Sequence, residues 1–567
     1  MKKRQYVDII EKVFSAYTPE HIRAYTAQVK EKGIEEHGYP RVVANLGFLL
    51  AHGKMQEMKD EFVGMMDLCC AELPVCLGKN GGRTGNDFSV KEITITLLEL
   101  EKAKIFPESD TKRWRAELAK IDPYSTYKDI ASVPPVRIGN WAAFGAASEQ
   151  LRKFAGIGDE SAFIDNQIAS QLLSFDPNGM YRDPREPMVY DAVTRLQLAA
   201  ALFFGFDGAH AKKLEKQLAK SADLTLKLQS VTGEIPYGGR SNQFLHNETF
   251  FAALCEFYAT YFKKKGDLSK AGQFKRAAKL AIDNVKMWLA ETPIHHVKNF
   301  FDTETKFGCE EYAYFDKYMV TAGSWAILAY CFADDAVKEE KCPAENENYA
   351  WETSKYFHRA FAKFGSYLVQ GDTDGDGWYD ASGIGRIHKK GIPSALCLTV
   401  PMNLQEVAHY HIDIKNPSKF SICGGIKTKK GFVYGYQDET KHSFKDVVST
   451  DTYSAFTMHC KAAEKEYDLI CKVTKNGVEF TAEGKGELEI LLPLFWFDGK
   501  TYTEIWGTNN KAEVLYKGCV LTYSSRNKME MTENMYANRS GYYKSAKVSG
   551  KNKVTVKIKM KRVKNNG

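Results

Sequence analysis

The sequence predicts an α+β protein of several domains, with an array of antiparallel helical hairpins over residues 1–395 and an antiparallel β-sandwich over 396–567. Three observations predict this division. Apolar residues recur three and four positions apart up to about residue 370, and short β-branched and aromatic runs replace them after about residue 395. Gly, Pro and Asn-Gly breaks separate the segments. A chain of 567 residues that is 44% apolar is also long enough to bury a large core.

The helical part consists of segments that each carry one apolar stripe. Such a stripe has to be buried against a neighbouring helix, so consecutive segments are expected to form hairpins. No fixed-period repeat is present, which disfavours a regular solenoid. The predicted helices cover residues 41–53, 57–74, 88–104, 139–155, 160–173, 188–204, 243–263, 270–290 and 347–369.

The β part is predicted from short runs bounded by turn residues. Asn476-Gly477 and Asp498-Gly499 are hairpin signals. Residues 551–564 alternate apolar residues with Lys, which predicts an edge strand whose charged face opposes edge-to-edge pairing; polyanion binding is the alternative. The predicted strands lie within 420–428, 431–437, 449–462, 467–484, 487–497, 513–525 and 552–560.

Composition narrows the partners and the compartment. The net charge of +7 is spread over the chain without a dense basic stripe, which argues against nucleic acid and is compatible with an acidic ligand. No uncharged apolar run is long enough to span a bilayer. Twelve Cys without CxxC pairs indicate reduced thiols and a cytoplasmic protein; a secreted or periplasmic protein whose signal has been removed is the alternative. Oligomeric state is not predicted.

The densest polar cluster lies in residues 234–248, where two glycines permit a sharp turn just before a predicted helix. So many polar groups at one helix entrance predict a surface that faces a ligand. The alternative is an N-capping cluster in which Glu248 satisfies backbone donors. The polar members are Arg240, Ser241, Asn242, Gln243, His246, Asn247 and Glu248.

Further candidate residues lie at other predicted helix entrances. Asn140-Trp141 opens one helix, and the 176–195 segment carries Arg182, Tyr190 and Arg195. A third stretch, 309–318, includes Tyr312 and Tyr314 among several acids and predicts a groove wall; solvated acids at a helix start are the alternative.

An Asp-rich loop is a candidate metal site. Asp372, Asp374 and Asp376 occupy the first three ligand positions of a calcium loop, but Gly383 stands where a complete EF-hand has Glu. A partial structural Ca²⁺ site and a plain Asp-rich turn both remain open. Trp378, in the same loop, is a candidate to cover a substrate.

This layout resembles the α/α-toroid polysaccharide lyases, which include the chondroitin and hyaluronate lyases and the heparinase II/III-like lyases, and related uronide-processing enzymes. The resemblance implies that Asn140 neutralises a substrate carboxylate, Trp141 stacks on a sugar ring and Tyr190 is the catalytic Tyr, with Arg195 at the position of a later Arg. Arg182 stands near the place of the catalytic His, so either His246 has taken that role or the chemistry differs.

The function that the resemblance implies is β-elimination on uronate-containing oligo- or polysaccharides, with an acidic oligosaccharide as the partner. No cofactor is required if Tyr190 acts as base and acid while Asn140, Arg240 and His246 neutralise the carboxylate.

Two other functions remain open. One is a glycoside hydrolase, a glucuronidase or unsaturated uronide hydrolase, which would pair Glu248 with Asp191, Glu311 or Asp183. The other is a non-catalytic glycan-binding protein. Nucleotide-driven and serine-hydrolase chemistry are disfavoured because the sequence lacks a Walker loop and a GxSxG motif.

Overall fold

The computed structural model describes residues 1–75, 87–127, 130, 139–400 and 419–563. The helices in these ranges are α1 (Lys3–Phe14), α2 (Pro19–Lys32), α3 (Gly38–Ala51), α4 (Lys59–Glu72), α5 (Asp87–Ala103), α6 (Glu108–Leu118), α7 (Pro123–Thr126), α8 (Asn140–Phe154), α9 (Ser161–Gln171), α10 (Met188–Phe203), α11 (Ala211–Lys220), α12 (Ala222–Leu228), α13 (His246–Lys264), α14 (Leu268–Leu289), α15 (Phe315–Phe332) and α16 (Pro343–Asn346).

The strands follow the helices along the chain. They are β1 (Tyr349–Glu352), β2 (Arg359–Phe364), β3 (Tyr367–Asp372), β4 (Gly383–Lys389), β5 (Gly424–Thr428), β6 (Gly431–Tyr434), β7 (Thr440–Ser449), β8 (Ser454–Ala462), β9 (Lys465–Thr474), β10 (Gly477–Phe497), β11 (Glu504–Thr508), β12 (Lys511–Tyr516), β13 (Cys519–Ser524), β14 (Lys528–Asn538) and β15 (Gly541–Arg562).

Six helices form a closed inner ring. In the order α3, α5, α8, α10, α13 and α15, each contacts the next, and α15 returns to α3. In α3 every residue from Gly38 to Leu50 is buried, as expected for a helix that is covered on all sides. Other helices form an outer layer, with α1 against α15, α4 against α3, α9 against α8 and α14 against α13. The predicted toroid of helical hairpins is therefore confirmed.

The inner helices approach closely because small residues stand at their contacts. A Cβ on Gly323 of α15 would lie 1.9 Å from the Asn45 Oδ1 atom of α3. The Asn45 side-chain nitrogen also donates a hydrogen bond to Ser324 Oγ at 3.1 Å, so this buried donor is satisfied within the ring.

The strands form two packed antiparallel sheets. One has the order β1-β2-β3-β4, and the larger one has the order β11-β12-β13-β15-β10-β9-β8-β7, with β14 paired to β15 and β5 to both β6 and β10. Val369 and Ile384 of the small sheet share one apolar core with Phe456 and Ile490 of the large sheet. The predicted antiparallel sandwich is therefore confirmed.

Two sequence predictions about this region were wrong. Residues 347–369, predicted to be helical, contain β1, all of β2 and the first half of β3. β2 and β3 are buried at every position, and fully buried strands show no alternation to distinguish them from a buried helix. Strands thus begin at Tyr349, while the division at residue 395 stays a prediction.

The second wrong prediction is the edge strand at 551–564. β15 lies between β10 and β13 in the large sheet, and Ile558 has Val478 of β10 as one partner and Tyr523 of β13 as the other. Alternation of Lys with apolar residues reports one solvated face and says nothing about whether the strand's two edges are paired.

No helix in the described ranges is long and apolar enough to cross a bilayer. The eleven cysteines that lie in these ranges are free thiols.

The small sheet is hydrogen-bonded to residues 230–237, which precede α13. The side chain of Gln370 of β3 makes both contacts with the backbone of Tyr237. Its Nε2 donates to the Tyr237 carbonyl at 2.9 Å, and its Oε1 accepts from the Tyr237 amide at 3.3 Å. His388 of β4 shares a hydrogen bond with Ser230 Oγ at 2.7 Å, through Nδ1. The sandwich therefore positions residues 230–238, which lead into the polar cluster found in the sequence.

His388 should make stability depend on pH. Burial, reinforced by the positive charge of Arg386, lowers the pKa of His388 to about 3, from an ordinary value near 6.5. Below pH 6.5 His388 binds a proton in the unfolded chain but not in the folded chain. The free energy of unfolding therefore falls as the pH falls. Between pH 7 and 5 the wild type should lose about 2 kcal/mol more than His388→Gln. Urea unfolding at a series of pH values measures this difference, and parallel curves for the two proteins would contradict it.

Candidate active site

One cavity lies where the six inner helices begin. Each of the six helices contributes to the cavity wall a residue from its first four positions. All six helices therefore start at the same end of the ring. Helix N-termini carry partial positive charge, and six of them converging favour a bound anion. The six residues are Arg41 of α3, Phe88 of α5, Asn140 of α8, Tyr190 of α10, His246 of α13 and Tyr318 of α15.

The loop before α13 adopts a strained backbone beside this cavity. Gly238 and Gly239 have φ values of 135° and 73°, and Ser241 and Gln243 both have φ of 61°, which is uncommon for residues with a side chain. The Asn242 side chain is buried and closes the turn, accepting from the Gly238 amide at 3.1 Å and donating to the Gly239 carbonyl. Such strain persists only where the surroundings enforce it.

Two carboxylates outside the loop hold this strained backbone conformation through hydrogen bonds. Asp380 Oδ2 accepts from the Gly239 amide at 2.9 Å, and Glu310 Oε1 accepts from the Ser241 amide at 2.6 Å. Glu310 is itself held by a bidentate contact with Arg539 of the sandwich. The sandwich thus determines where Ser241 stands.

Gly238→Ala should destabilise the protein and reduce its activity. A Cβ at this position would lie 2.1 Å from Arg359 Nη2, and Arg359 cannot retreat because it is buried and paired with Asp372 at 2.8 Å. We expect a loss of about 3 kcal/mol or more, the sum of backbone strain and overlap.

Gly391→Ala is the matched control for this change. Gly391 also has a positive φ, 78°, but its Cβ would meet nothing within 4 Å. Strain alone should then cost roughly 1–2 kcal/mol. Urea midpoints for both variants make the comparison, and equal losses would show that the contact with Arg359 is not restrictive.

Ser241 connects two tyrosines at the mouth of the cavity. Its hydroxyl lies 3.2 Å from the Tyr190 hydroxyl and 3.0 Å from the Tyr312 hydroxyl. The Arg240 guanidinium lies 4.2 Å from the centre of the Tyr190 ring and is paired with Asp183. Arg240 therefore places a cation against the ring that carries the Tyr190 hydroxyl.

Asp183 also connects Tyr190 to Asn140. Its Oδ1 atom accepts from the Asn140 backbone amide at 2.8 Å, which fixes the start of α8, while Oδ2 faces Arg240. The three sequence-predicted residues Asn140, Tyr190 and Arg240 are therefore held in one arrangement through a single buried carboxylate.

His246 presents an unsatisfied ring nitrogen at the same place. Its ring stacks on Phe244 with centroids 5.5 Å apart and meets Tyr318 edge-on at 5.0 Å. Nδ1 is buried and has no hydrogen-bond partner among the described residues. Burial, followed by the charge of Arg41, lowers the pKa of His246 well below 6.5, so the imidazole is neutral near pH 7.

Arg41 and Trp325 lie deep in the cavity and were missed by the sequence analysis. Each is only 2% exposed, and the Arg41 guanidinium lies 5.4 Å from the centre of the Trp325 ring. A signal was present, because an Arg inside an apolar helical run is a buried polar residue that needs an explanation.

Glu248 and Arg195, both predicted site residues, do not line the cavity. Glu248 is paired with Lys298 at 2.5 Å, and Arg195 is fully buried against Asp191 at 2.6 Å. Helical geometry explains both. Glu248 is about 200° around α13 from His246, and Arg195 is about 140° around α10 from Tyr190.

Trp141 and Arg182 also lie off the cavity wall. The Trp141 ring packs edge-on against Phe88 at 5.5 Å. Arg182 is paired with Glu186 at 3.1 Å and stacks on Tyr356 at 3.6 Å, beside a separate surface pocket.

The remaining aromatic and amide candidates divide between the mouth and other surfaces. Tyr312 is 36% exposed and reaches the mouth through Ser241. Gln243 is buried and donates to Ser540 Oγ of the sandwich at 3.4 Å. Tyr314 lines two other surface pockets. Trp378 is 42% exposed, and the structure shows no contact of its ring with the cavity.

The three Asp residues of the predicted calcium loop are not brought together as ligands. Asp372 is paired with Arg359 and His358, and Asp376 with Arg185. In the described ranges no group of three or more His, Cys, Asp or Glu side chains is placed to hold a metal ion. Metal binding here stays a prediction that this geometry does not support.

Carboxylates are absent from the described part of the cavity wall. The nearby acids are engaged elsewhere: Asp183 with Arg240, Glu310 with Arg539, and Glu92 with Lys91 at 2.9 Å. The polar wall therefore consists of phenol, imidazole, amide, hydroxyl and guanidinium groups.

Comparisons with known proteins return structures but no sequence relatives. Neither a protein-family model nor a curated protein matches the chain. A polysaccharide lyase is similar at 12% identity and a TM-score of 0.35, over 58% of this chain and 96% of its own. A family 88 glycosyl hydrolase from Bacteroides vulgatus is similar at 8% identity and a TM-score of 0.37, over 58% and 98%.

A GH127 β-L-arabinofuranosidase from Geobacillus stearothermophilus is similar at 11% identity and a TM-score of 0.35, over 99% of this chain and 80% of its own. Lyases and hydrolases of carbohydrates are thus among the structural neighbours, as the sequence resemblance predicted. At this level of similarity the chemistry has to be derived from the cavity itself.

Proposed function

We propose that the protein is a carbohydrate-active enzyme that cleaves uronate-containing oligo- or polysaccharides by β-elimination. The observation that carries the proposal is that Tyr190, Asn140 and His246, which come from three different helices, line one cavity. The inner-helix N-termini around that cavity favour an anionic ligand.

The reaction removes the proton on C5 of a uronate and expels the oxygen on C4. Its intermediate carries extra negative charge on the carboxylate, so donors aimed at that group lower the barrier. Asn140 supplies an amide for this purpose, and neutral His246 supplies a ring N–H without the cost of burying a charge.

Tyr190 is the proton-transfer group in this proposal. As base it takes the C5 proton; the C5–H electron pair forms the C4–C5 double bond, and the C4–O bond breaks with its electrons going to oxygen. Tyr190 then returns the proton to that oxygen, which balances the reaction. Tyr190 is therefore a phenolate before the first transfer and after the second, and a neutral phenol between them; the Arg240 guanidinium, 4.2 Å from the centre of its ring, is the cation placed to stabilise the phenolate.

Hydrolysis is the less favoured chemistry. It requires two carboxyl groups roughly 5–9 Å apart on either side of the scissile bond. No Asp or Glu among the described residues lines the cavity, and both Glu248 and Asp191 are paired with cations away from it.

A panel of uronate-containing oligosaccharides tests the proposal. Elimination creates a conjugated double bond that absorbs in the ultraviolet, and its product masses sum to that of the substrate. Hydrolysis gives no such absorbance and adds one water to the summed mass. Products that carry the added water would reject elimination, and binding without any product would indicate a glycan-binding protein.

A further inference from the structure

We infer that Arg41 is the residue that receives the substrate's carboxylate, at the inner end of the cavity; this inference rests on the proposed function and adds a residue to it. Arg41 is thereby a substrate-binding residue that selects anionic over neutral sugars. The assignment depends on how its guanidinium is partnered, on the local charge balance and on the size of the space.

The close partners of Arg41 are neutral. Its Nη1 donates to His37 Nδ1 at 2.8 Å and to Thr321 Oγ1 at 2.9 Å. Its Nε has no hydrogen-bond partner among the described residues, although the side chain is 98% buried and lines the cavity. A guanidinium has five N–H donors in a fixed fork, so unused donor capacity remains.

The charge of Arg41 is incompletely balanced. The acid in contact with it, Glu92, lies 3.4 Å away, and the same Glu92 oxygen takes a closer contact of 2.9 Å from Lys91. Among the described residues, Arg41 therefore has no carboxylate closer than 3.4 Å. Buried charges are normally paired, so an anion that enters from the cavity would give Arg41 a close partner.

The neighbouring histidines do not supply that anion or add to the charge. His37 accepts from Arg41 through Nδ1, which places its own proton on Nε2. Burial, followed by the charge of Arg41, lowers the pKa of His37 well below 6.5, as it does for His246. Both rings are therefore neutral hydrogen-bonding groups on either side of a cation.

The space at this end suits a small anionic group. The cavity that Arg41 lines measures about 60 Å³, which is room for a small anionic group such as a carboxylate. The ring would then lie toward Tyr190 and Tyr312, whose hydroxyls meet at Ser241. This orientation aims the carboxylate inward and places the adjacent carbon near Tyr190.

Calorimetric titration of the full-length protein tests the inference. The probes are D-glucuronate and D-galacturonate, their uncharged counterparts D-glucose and D-galactose, and inorganic sulfate. We expect the wild type to bind a uronate more tightly than its neutral counterpart. Arg41→Gln should weaken uronate binding about 10- to 100-fold while leaving the weak binding of the neutral sugar unchanged.

Two further variants guard against misfolding. Arg41→Met removes the same charge without adding a new polar group to the cavity, and it leaves Glu92 paired with Lys91 at 2.9 Å. Arg152→Gln combined with Glu149→Gln removes a different buried pair, on α8, whose side chains are no more than 2% exposed. Arg41→Met should lose uronate affinity, and the double variant should keep it.

Each outcome bears on the assignment. A folded Arg41→Gln or Arg41→Met variant that binds uronate as tightly as the wild type would overturn it, as would a wild type that binds no uronate. Tighter binding of sulfate than of either uronate would reassign the site to a sulfate group. If uronate binds through Arg41 but no oligosaccharide yields an unsaturated product, the inference stands and the elimination proposal fails.

Discussion

Replacing Tyr190 by Phe should abolish turnover while leaving the fold and substrate binding in place. The substitution removes one hydroxyl, whose contact is the 3.2 Å hydrogen bond with Ser241. Proton transfer by a positioned side chain contributes about 10²–10⁴-fold to a rate, and here one group carries both transfers, so we expect the upper end of that range. Initial rates of ultraviolet absorbance increase on an oligosaccharide from the active panel measure the effect.

Tyr312→Phe is the matched control for this variant. It also removes a phenol hydroxyl bonded to Ser241, at 3.0 Å, but Tyr312 does not line the cavity. Its rate should stay within about tenfold of wild type, since the variant weakens the support of Ser241 and keeps both the Tyr312 ring and the proton-transfer group. Undiminished turnover in Tyr190→Phe, or equal losses in both variants, would remove Tyr190 from the catalytic role.

The sequence located the site because polar residues cluster at helix entrances. Asn140, Tyr190 and His246 were each identified beside a predicted helix start, and the ring brings three of those starts together. A helix entrance is a local property that turn residues and apolar spacing reveal. That all six inner helices begin at one end is a property of the closed ring, which the structure shows and local sequence patterns do not.

Sequence patterns along one helix did not identify polar residues whose partners are buried between helices. Glu248 follows His246 closely in sequence and Arg195 follows Tyr190, yet each faces a buried counter-ion on another side of its helix. Arg41 is the opposite case, a residue inside an apolar run whose partners come from α5 and α15. Neither outcome can be read from spacing along one helix, because the partner's position depends on the packing of other helices.

Arg539→Met should lower both the stability and the turnover of the protein. Arg539 of the sandwich holds Glu310, and Glu310 accepts from the Ser241 amide. Arg539 is buried and forms a bidentate ion pair with Glu310, and it also donates to the Gly308 carbonyl at 2.6 Å. Removing one partner of a buried pair costs about 3–5 kcal/mol, since the remaining charge is left uncompensated. Turnover should fall at least tenfold, because Glu310 positions the Ser241 amide at 2.6 Å and hence the Tyr190 hydroxyl.

Combining Arg539→Met with Glu310→Gln separates the two effects. The double variant leaves no lone buried carboxylate, so most of the lost stability should return. The Gln carbonyl can still accept from the Ser241 amide, so turnover should recover with it if Glu310 acts only as a hydrogen-bond acceptor. Stability that returns while turnover stays low would show that the position of Ser241 requires the full Arg539–Glu310 fork. Urea unfolding and initial rates on the same preparations decide between these results, and a stable, fully active Arg539→Met variant would contradict the role of the sandwich in placing the site.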